Sequence, residues 1–106
     1  MNQKIFSLLG IARRAGKVYT GESQVEALMK KKKGHLLIIA EDSPGTYTKF
    51  VPWAKDLNIP VLRMGTKQQL GIAVGLSPRS IILIDDKGFA EAMLRDGGAP
   101  MPPNLK

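Results

Sequence analysis

Leu36-Leu37-Ile38-Ile39-Ala40, set between Gly34 on one side and Glu41-Asp42-Ser43-Pro44 on the other, is an unbroken apolar run of strand length. A strand with one wet face would alternate polar and apolar residues. This one does not, so it reads as a strand buried on both faces in the middle of a sheet, with helices above and below it.

Working outward, the flanking segments supply those helices. Ile5, Leu8, Leu9 and Ala12 fall at the spacing of one helical stripe over residues 3–15, and Gly16 gives a left-handed stop. Lys17 to Thr20 is short and β-leaning. Gly21 opens a second helix with Val25, Leu28 and Met29 on one face, ended by Lys30 to Lys33 and Gly34. On the other side of the central run, Ser43-Pro44 signals a helix start, and Phe50, Trp53, Ala54 and Leu57 continue at helical spacing. Pro52 removes a backbone donor within that helix and predicts a kink or a fresh start. Asn58 ends the segment.

Ile59 to Met64 reads as a strand, and Thr66 caps a helix with Gln69 as its capping-box partner, Leu70, Ala73 and Val74 facing inward. After the polar loop Leu76-Ser77-Pro78-Arg79, Ser80 to Ile84 is again apolar and strand-like. Asp85 or Asp86 then caps a last helix carrying Phe89, Met93 and Leu94. Helices and strands therefore alternate along the chain, which predicts an α/β fold with one sheet between helix layers. At 106 residues one domain is expected, over 1–96, with a loose Gly- and Pro-rich tail over 97–106.

Composition narrows the function classes. The absence of cysteine removes disulfides and thiolate metal sites and points to a reducing, cytoplasmic setting. No secretory leader or bilayer-spanning run is read from the sequence. The formal charge is +7, and it is uneven: residues 1–34 hold eight basic and two acidic side chains, residues 35–106 eight and seven. Such a field attracts polyanions. Solubility and a lysine-rich helix end complementing the macrodipole give the competing, structural account of the same charge.

Catalytic groups are scarce. His35 is the single histidine, and a packing or capping place at a strand edge outweighs a general base. No nucleophile-base pair is visible. Asp85 and Asp86, like Glu41 and Asp42, end strands; helix capping and wet strand ends explain them better than a metal held between the two pairs. Gly65-Thr66-Lys67 reverses the lysine-hydroxyl order of a phosphate-binding Walker loop, and no dinucleotide fingerprint is present. The reading is of no catalytic residue, no metal and no cofactor.

What remains is the mouth of the second helix. Gly21, Glu22, Ser23 and Gln24 present uncapped backbone N–H groups and a side-chain amide, expected to stand beside Arg13, Arg14 and Lys17. Helix N-termini attract phosphate, and Ser and Gln can address base edges. Glu22 suits the dipole more than a phosphate.

These stretches carry a resemblance. Gly21-Glu22-Ser23-Gln24-Val25-Glu26-Ala27, Leu36 to Asp42, Asn58-Ile59-Pro60-Val61, Gly65-Thr66-Lys67 and Leu70-Gly71-Ile72-Ala73-Val74-Gly75 together resemble the kink-turn-binding ribosomal protein family of the archaeal large-subunit L-seven-A-e type. The opening Leu8-Leu9-Gly10-Ile11-Ala12-Arg13-Arg14-Ala15-Gly16-Lys17 looks like its small bacterial, YlxQ-like branch. The resemblance covers nearly the whole chain. It implies a three-layer α/β/α sandwich around a four-stranded mixed sheet, no catalysis, and RNA held by the loop into the second helix and the loop after the fourth.

The family's base-reading glycine, asparagine, glutamate and lysine fall on Gly21, Ser23, Gln24 and Ala27, of which the glycine alone is kept. Its second contact, a loop that embraces a flipped-out base, falls on Leu76, Ser77, Pro78 and Arg79, where Arg79 is placed to replace charge lost at Ala27. The sequence thus predicts a non-enzymatic, ribosome-associated protein that binds structured, kink-turn-like RNA, and no membrane. The rival is a protein-interaction adaptor that kept the fold and lost RNA, favoured by Ala27 and by an exposed Pro52-Trp53 region.

Overall fold

The computed structural model describes residues 3–97. Within β2 (Leu36–Ile39) all four side chains are buried, and they are sorted by the two-residue period of a strand. Leu36 and Ile38, with Ala40 beyond them, join Ile5 and Leu9 of α1 (Gln3–Arg14), Leu70 of α4 (Lys67–Ala73) and Met93 of α5 (Lys87–Gly97) in one core. Leu37 and Ile39 join Val25 and Met29 of α2 (Glu22–Lys30) and Phe50 and Ala54 of α3 (Pro44–Asp56) in the other. The sheet is therefore sandwiched, with α1, α4 and α5 on one face and α2 and α3 on the opposite face. Each fully buried Leu or Ile contributes about 1.5–3 kcal/mol, so both faces are needed to hold the domain.

The sheet is mixed, as expected, with order β1-β4-β2-β3. β4 (Ile81–Ile84) pairs antiparallel with β1 (Val18–Thr20) and with β2, while β3 (Val61–Arg63) runs parallel to β2. The strand expected over 59–64 is shorter at both ends. Pro60 cannot donate, and its carbonyl instead accepts from the Leu37 N–H at 2.9 Å.

The helix ends follow one rule. After α1, Gly16 adopts φ 76° while the Gly16 and Lys17 N–H groups return to the carbonyls of Arg13 and Ala12, a Schellman closure. The same paired bonds close α2 at Lys32 and Lys33, α3 at Asn58 and Ile59, and α4 at Gly75 and Leu76. The left-handed residue is glycine or asparagine in three of them, but it is Lys32, φ 60°, in α2.

Other expectations fare unevenly. Thr66 and Gln69 form both halves of the capping box, and Asp86 Oδ1 accepts from the Phe89 N–H at 2.8 Å. Ser43 occupies the start of α3, yet its hydroxyl makes no capping bond. No fresh start occurs at Pro52, because α3 runs through it as one helix. The proline ring is on the exposed side, and the burial of Phe50 and Ala54 on either side keeps the helix on the sheet. Trp53 is not an exposed patch: it is half-buried and stacked on Phe50, with ring centroids 6.0 Å apart. The tail expected over 97–106 lies outside the described residues save Gly97, with which α5 ends.

Candidate nucleic-acid interface

Gly21 stands between β1 and α2 with φ 90° and ψ 143°, a conformation comfortable for glycine alone. A Cβ there would meet nothing within 4 Å, so the requirement is one of backbone shape, and the space in front is open. Its N–H pairs with Ile81 O and its carbonyl accepts the first helical bond from Val25. No side chain caps α2, which leaves the first-turn N–H groups to an outside acceptor. Ser23, Gln24 and Ala27 are exposed on this helix.

The loop after α4 is brought to the same place. Gly71 allows it, since a Cβ at Gly71 would lie 2.3 Å from the Ser77 carbonyl oxygen and 2.9 Å from Pro78 Cα. Arg79 then reaches back across the gap. Its Nε donates to Thr20 Oγ1 at 3.0 Å, and its Nη1 donates to Ser77 Oγ at 2.7 Å and to the Ser77 and Pro78 carbonyls. Thr20 in turn donates its N–H to Gln24 Oε1 at 3.2 Å. All of Arg79's partners are neutral oxygens, so its positive charge is held in position and left uncancelled. Leu76 packs against the core, while Ser77 and Pro78 are exposed.

Four expected members are elsewhere or differently occupied. Glu22 turns away from the mouth: its carboxylate accepts from Thr46 Oγ1 at 2.7 Å and from Lys49 Nζ at 3.4 Å. Lys49 also pairs with Glu26, and that contact holds the Glu26 carboxyl below its usual range and raises Lys49. Arg13, Arg14 and Lys17 are exposed but do not stand beside Gly21. Lys17 O accepts from Asp85 N at one end of β1, whereas Gly21 pairs with Ile81 at the other, four residues and about 13 Å along the strand.

The same topology separates the acidic pairs. β2 and β4 are antiparallel, so Glu41-Asp42 and Asp85-Asp86 end them at opposite edges of the sheet, and no metal can lie between. Asp42 Oδ1 instead accepts the Lys67 N–H at 2.9 Å. His35 is exposed and takes part in the sheet edge through its backbone N–H, which donates to Ile84 O.

Sequence reasoning missed Thr20 and Ile72. Thr20 is the polar end of a short strand, with no pattern to mark it as the joint between loop and helix. Ile72 is 71% exposed on α4. A signal for it was present: the inward spacing of Leu70, Ala73 and Val74 leaves position 72 on the outer face.

Fold and edge together define a class: a single-sheet α/β/α domain that offers an uncapped helix mouth and a cation-bearing loop side by side. Residues 3–94 match the Ribosomal protein L7Ae/L30e/S12e/Gadd45 family, and the chain belongs to it. It is similar to the RNA-binding protein YlxQ of Bacillus subtilis (strain 168), 30% identical over 90 residues that make up 84% of this chain and 90% of the relative. It is also similar to the large ribosomal subunit protein eL8 of Thermoplasma volcanium, 28% identical over 97 residues, 90% of this chain and 80% of that protein. Among solved structures, a protein of unknown function from Bacillus halodurans C superposes with TM-score 0.83 at 34% identity, covering 87% of this chain and 94% of that one. The Giardia lamblia 15.5kD RNA binding protein shares the fold, with TM-score 0.74 at 22% identity over 92% of this chain and 91% of its own.

Proposed function

We propose that the chain is a non-enzymatic RNA-binding protein, ribosome-associated, which grips structured RNA of the kink-turn kind at the Gly21 edge. One observation carries the reading: the open, uncapped mouth of α2 is tied to the loop of Arg79 through Thr20 and Gln24. In this mode the first-turn N–H groups hold a phosphate, Ser23 and the free amide nitrogen of Gln24 address base edges, and Arg79 supplies fixed positive charge. Ser77, Pro78 and Leu76 form the wall against which an unstacked base rests. The relatives named for RNA binding or for the large ribosomal subunit support the same ligand class.

The test is electrophoretic binding to a kink-turn duplex, to the same duplex without its G-A pairs, and to ribosomal RNA. Preference for the first is the expected result. Ala27→Lys, which adds a cation on the exposed face one turn beyond Ser23, should tighten kink-turn binding and leave the plain duplex nearly unchanged. Equal binding to all three RNAs would remove kink-turn recognition. No binding to any of them would favour a protein-interaction adaptor.

A further inference from the structure

The densest positive charge of this molecule is not at its proposed RNA mouth. At the Gly21 edge the cations Arg79, Lys67 and Arg63 share the surface with Glu41 and Asp42. The opposite edge differs. There α1 ends in Arg13 and Arg14, β1 begins after Lys17, and the turn from α2 into β2 carries Lys31, Lys32 and Lys33. The strand register brings them together, because the Lys17 carbonyl accepts from Asp85 N and the His35 N–H donates to Ile84 O, on either side of the end of β4. All six cations are exposed, and none of them makes an ion pair with another of the described residues. Asp56, Asp85 and Asp86 are the carboxylates of this edge, and Asp86 is committed to capping α5.

A helix-dipole account covers Arg13, Arg14 and Lys30, which lie in last turns. It does not cover Lys32, which follows its helix and sits at φ 60°, where glycine is the relaxed choice and where α1 and α4 use glycine. A charged residue stands there at the expense of backbone comfort, and a strained position of this kind is a place to look for function.

We infer that this edge is a second phosphate-binding surface, which takes the backbone of an RNA duplex while the Gly21 edge holds its own segment. The inference rests on RNA being the ligand of the proposed function. Duplex backbone is the occupant that fits: the surface is a set of long cations at a helix end and on tight turns. Among the described residues the one large exposed apolar side chain near them is Ile11, in the last turn of α1, the other, Ile72, being on α4. A bilayer-binding surface presents an apolar face beside its cations.

The test compares the wild type with R13Q/K17Q/K31Q/K33Q, changes confined to exposed side chains, with fold and Tm checked first. A plain RNA duplex, a kink-turn RNA and vesicles of anionic phospholipid are the probes, over about 50 to 200 mM salt. The inference expects tenfold or greater loss of duplex binding, a salt slope shallower by about three, and an unchanged ratio of kink-turn to plain duplex. A complex holding both RNAs at once, seen with the wild type and lost with the variant, completes the result. Duplex binding as tight as wild type overturns the inference, and so does a loss seen with vesicles alone. Q24A/R79A separates the two edges: if it abolishes kink-turn preference while the fourfold variant changes nothing, the inference fails and the proposed function stands.

Discussion

Arg79 Nε donates to Thr20 Oγ1 across 3.0 Å, joining residues 59 apart in the chain. Because Thr20 also gives its N–H to Gln24, the loop after α4, the end of β1 and the first turn of α2 form one hydrogen-bonded unit. The unit is partly exposed, so its bonds compete with water and each is worth about 0.5–1.5 kcal/mol. Its importance is in geometry rather than stability: a cation and a helix mouth are held at fixed separation before any ligand arrives.

Arg79 and Gln24 should therefore fail in different ways. Arg79→Ala is expected to weaken cognate and mismatched RNA alike and to lower the salt slope by about one unit. Gln24→Ala should cost about 1–3 kcal/mol of discrimination between those RNAs, with little change in salt slope. Arg79→Lys keeps the charge but loses the fork to Thr20 and Ser77, so it should retain the slope while the affinity drops. Titrations at several salt concentrations separate the three, and identical behaviour of Arg79→Ala and Gln24→Ala would contradict these roles.

Gly71 governs the same loop from beneath. A methyl group there would meet the Ser77 carbonyl oxygen at 2.3 Å and the carbonyl carbon at 2.7 Å, which are backbone atoms that cannot swing aside. Gly71→Ala should destabilise the fold by about 1–3 kcal/mol and displace Ser77 and Pro78. Chemical denaturation reports the first effect, and reduced RNA affinity at full folding reports the second.

Lys32 gives a prediction of opposite sign. Its φ of 60° is left-handed, a conformation that costs a side-chain-bearing residue about 1–2 kcal/mol. Lys32→Gly should raise stability by about 1 kcal/mol, a Tm increase of about 4–8 °C for a domain of this size. Calorimetry that shows a fall in Tm would mean that the Lys32 side chain does more for the fold than its exposure suggests.

The Lys49 cluster yields a pH dependence. Its hydrogen bond and charge, with a smaller contribution from Lys30, hold Glu26 below its ordinary 4.5 in the folded protein. A carboxylate with a depressed folded value stabilises the fold above its unfolded value and loses that stabilisation as pH falls through the folded one. Lys49 is raised above 10.5, so its share is present below that pH and fades at higher alkalinity. Stability measured against pH should thus fall below about pH 4.5 in the wild type and fall less in Lys49→Gln. High salt should shrink the difference, since the pair is exposed and screened.

What could be read before folding, and what could not, follows from the range of the forces involved. The apolar run Leu36 to Ala40, the stripe of α1, the capping box at Thr66 and Gln69 and the left-handed stop at Gly16 are all local, and each is written in neighbouring residues. From them the sequence by itself determined an α/β/α sandwich, its central strand, and the open mouth of α2 at Gly21. It could not assign cations to edges, because that depends on which strand lies beside which. Lys17 and Gly21 are four residues apart, yet β1 points them to opposite edges, and the antiparallel pairing of β2 with β4 puts the two acidic pairs at opposite edges as well. The tertiary structure alone decided that Arg79 meets Thr20, that Glu22 turns to Thr46 and Lys49, and that Trp53 lies on Phe50. Side-chain partners of this kind are chosen by packing across distant segments, and no periodicity in the chain encodes them.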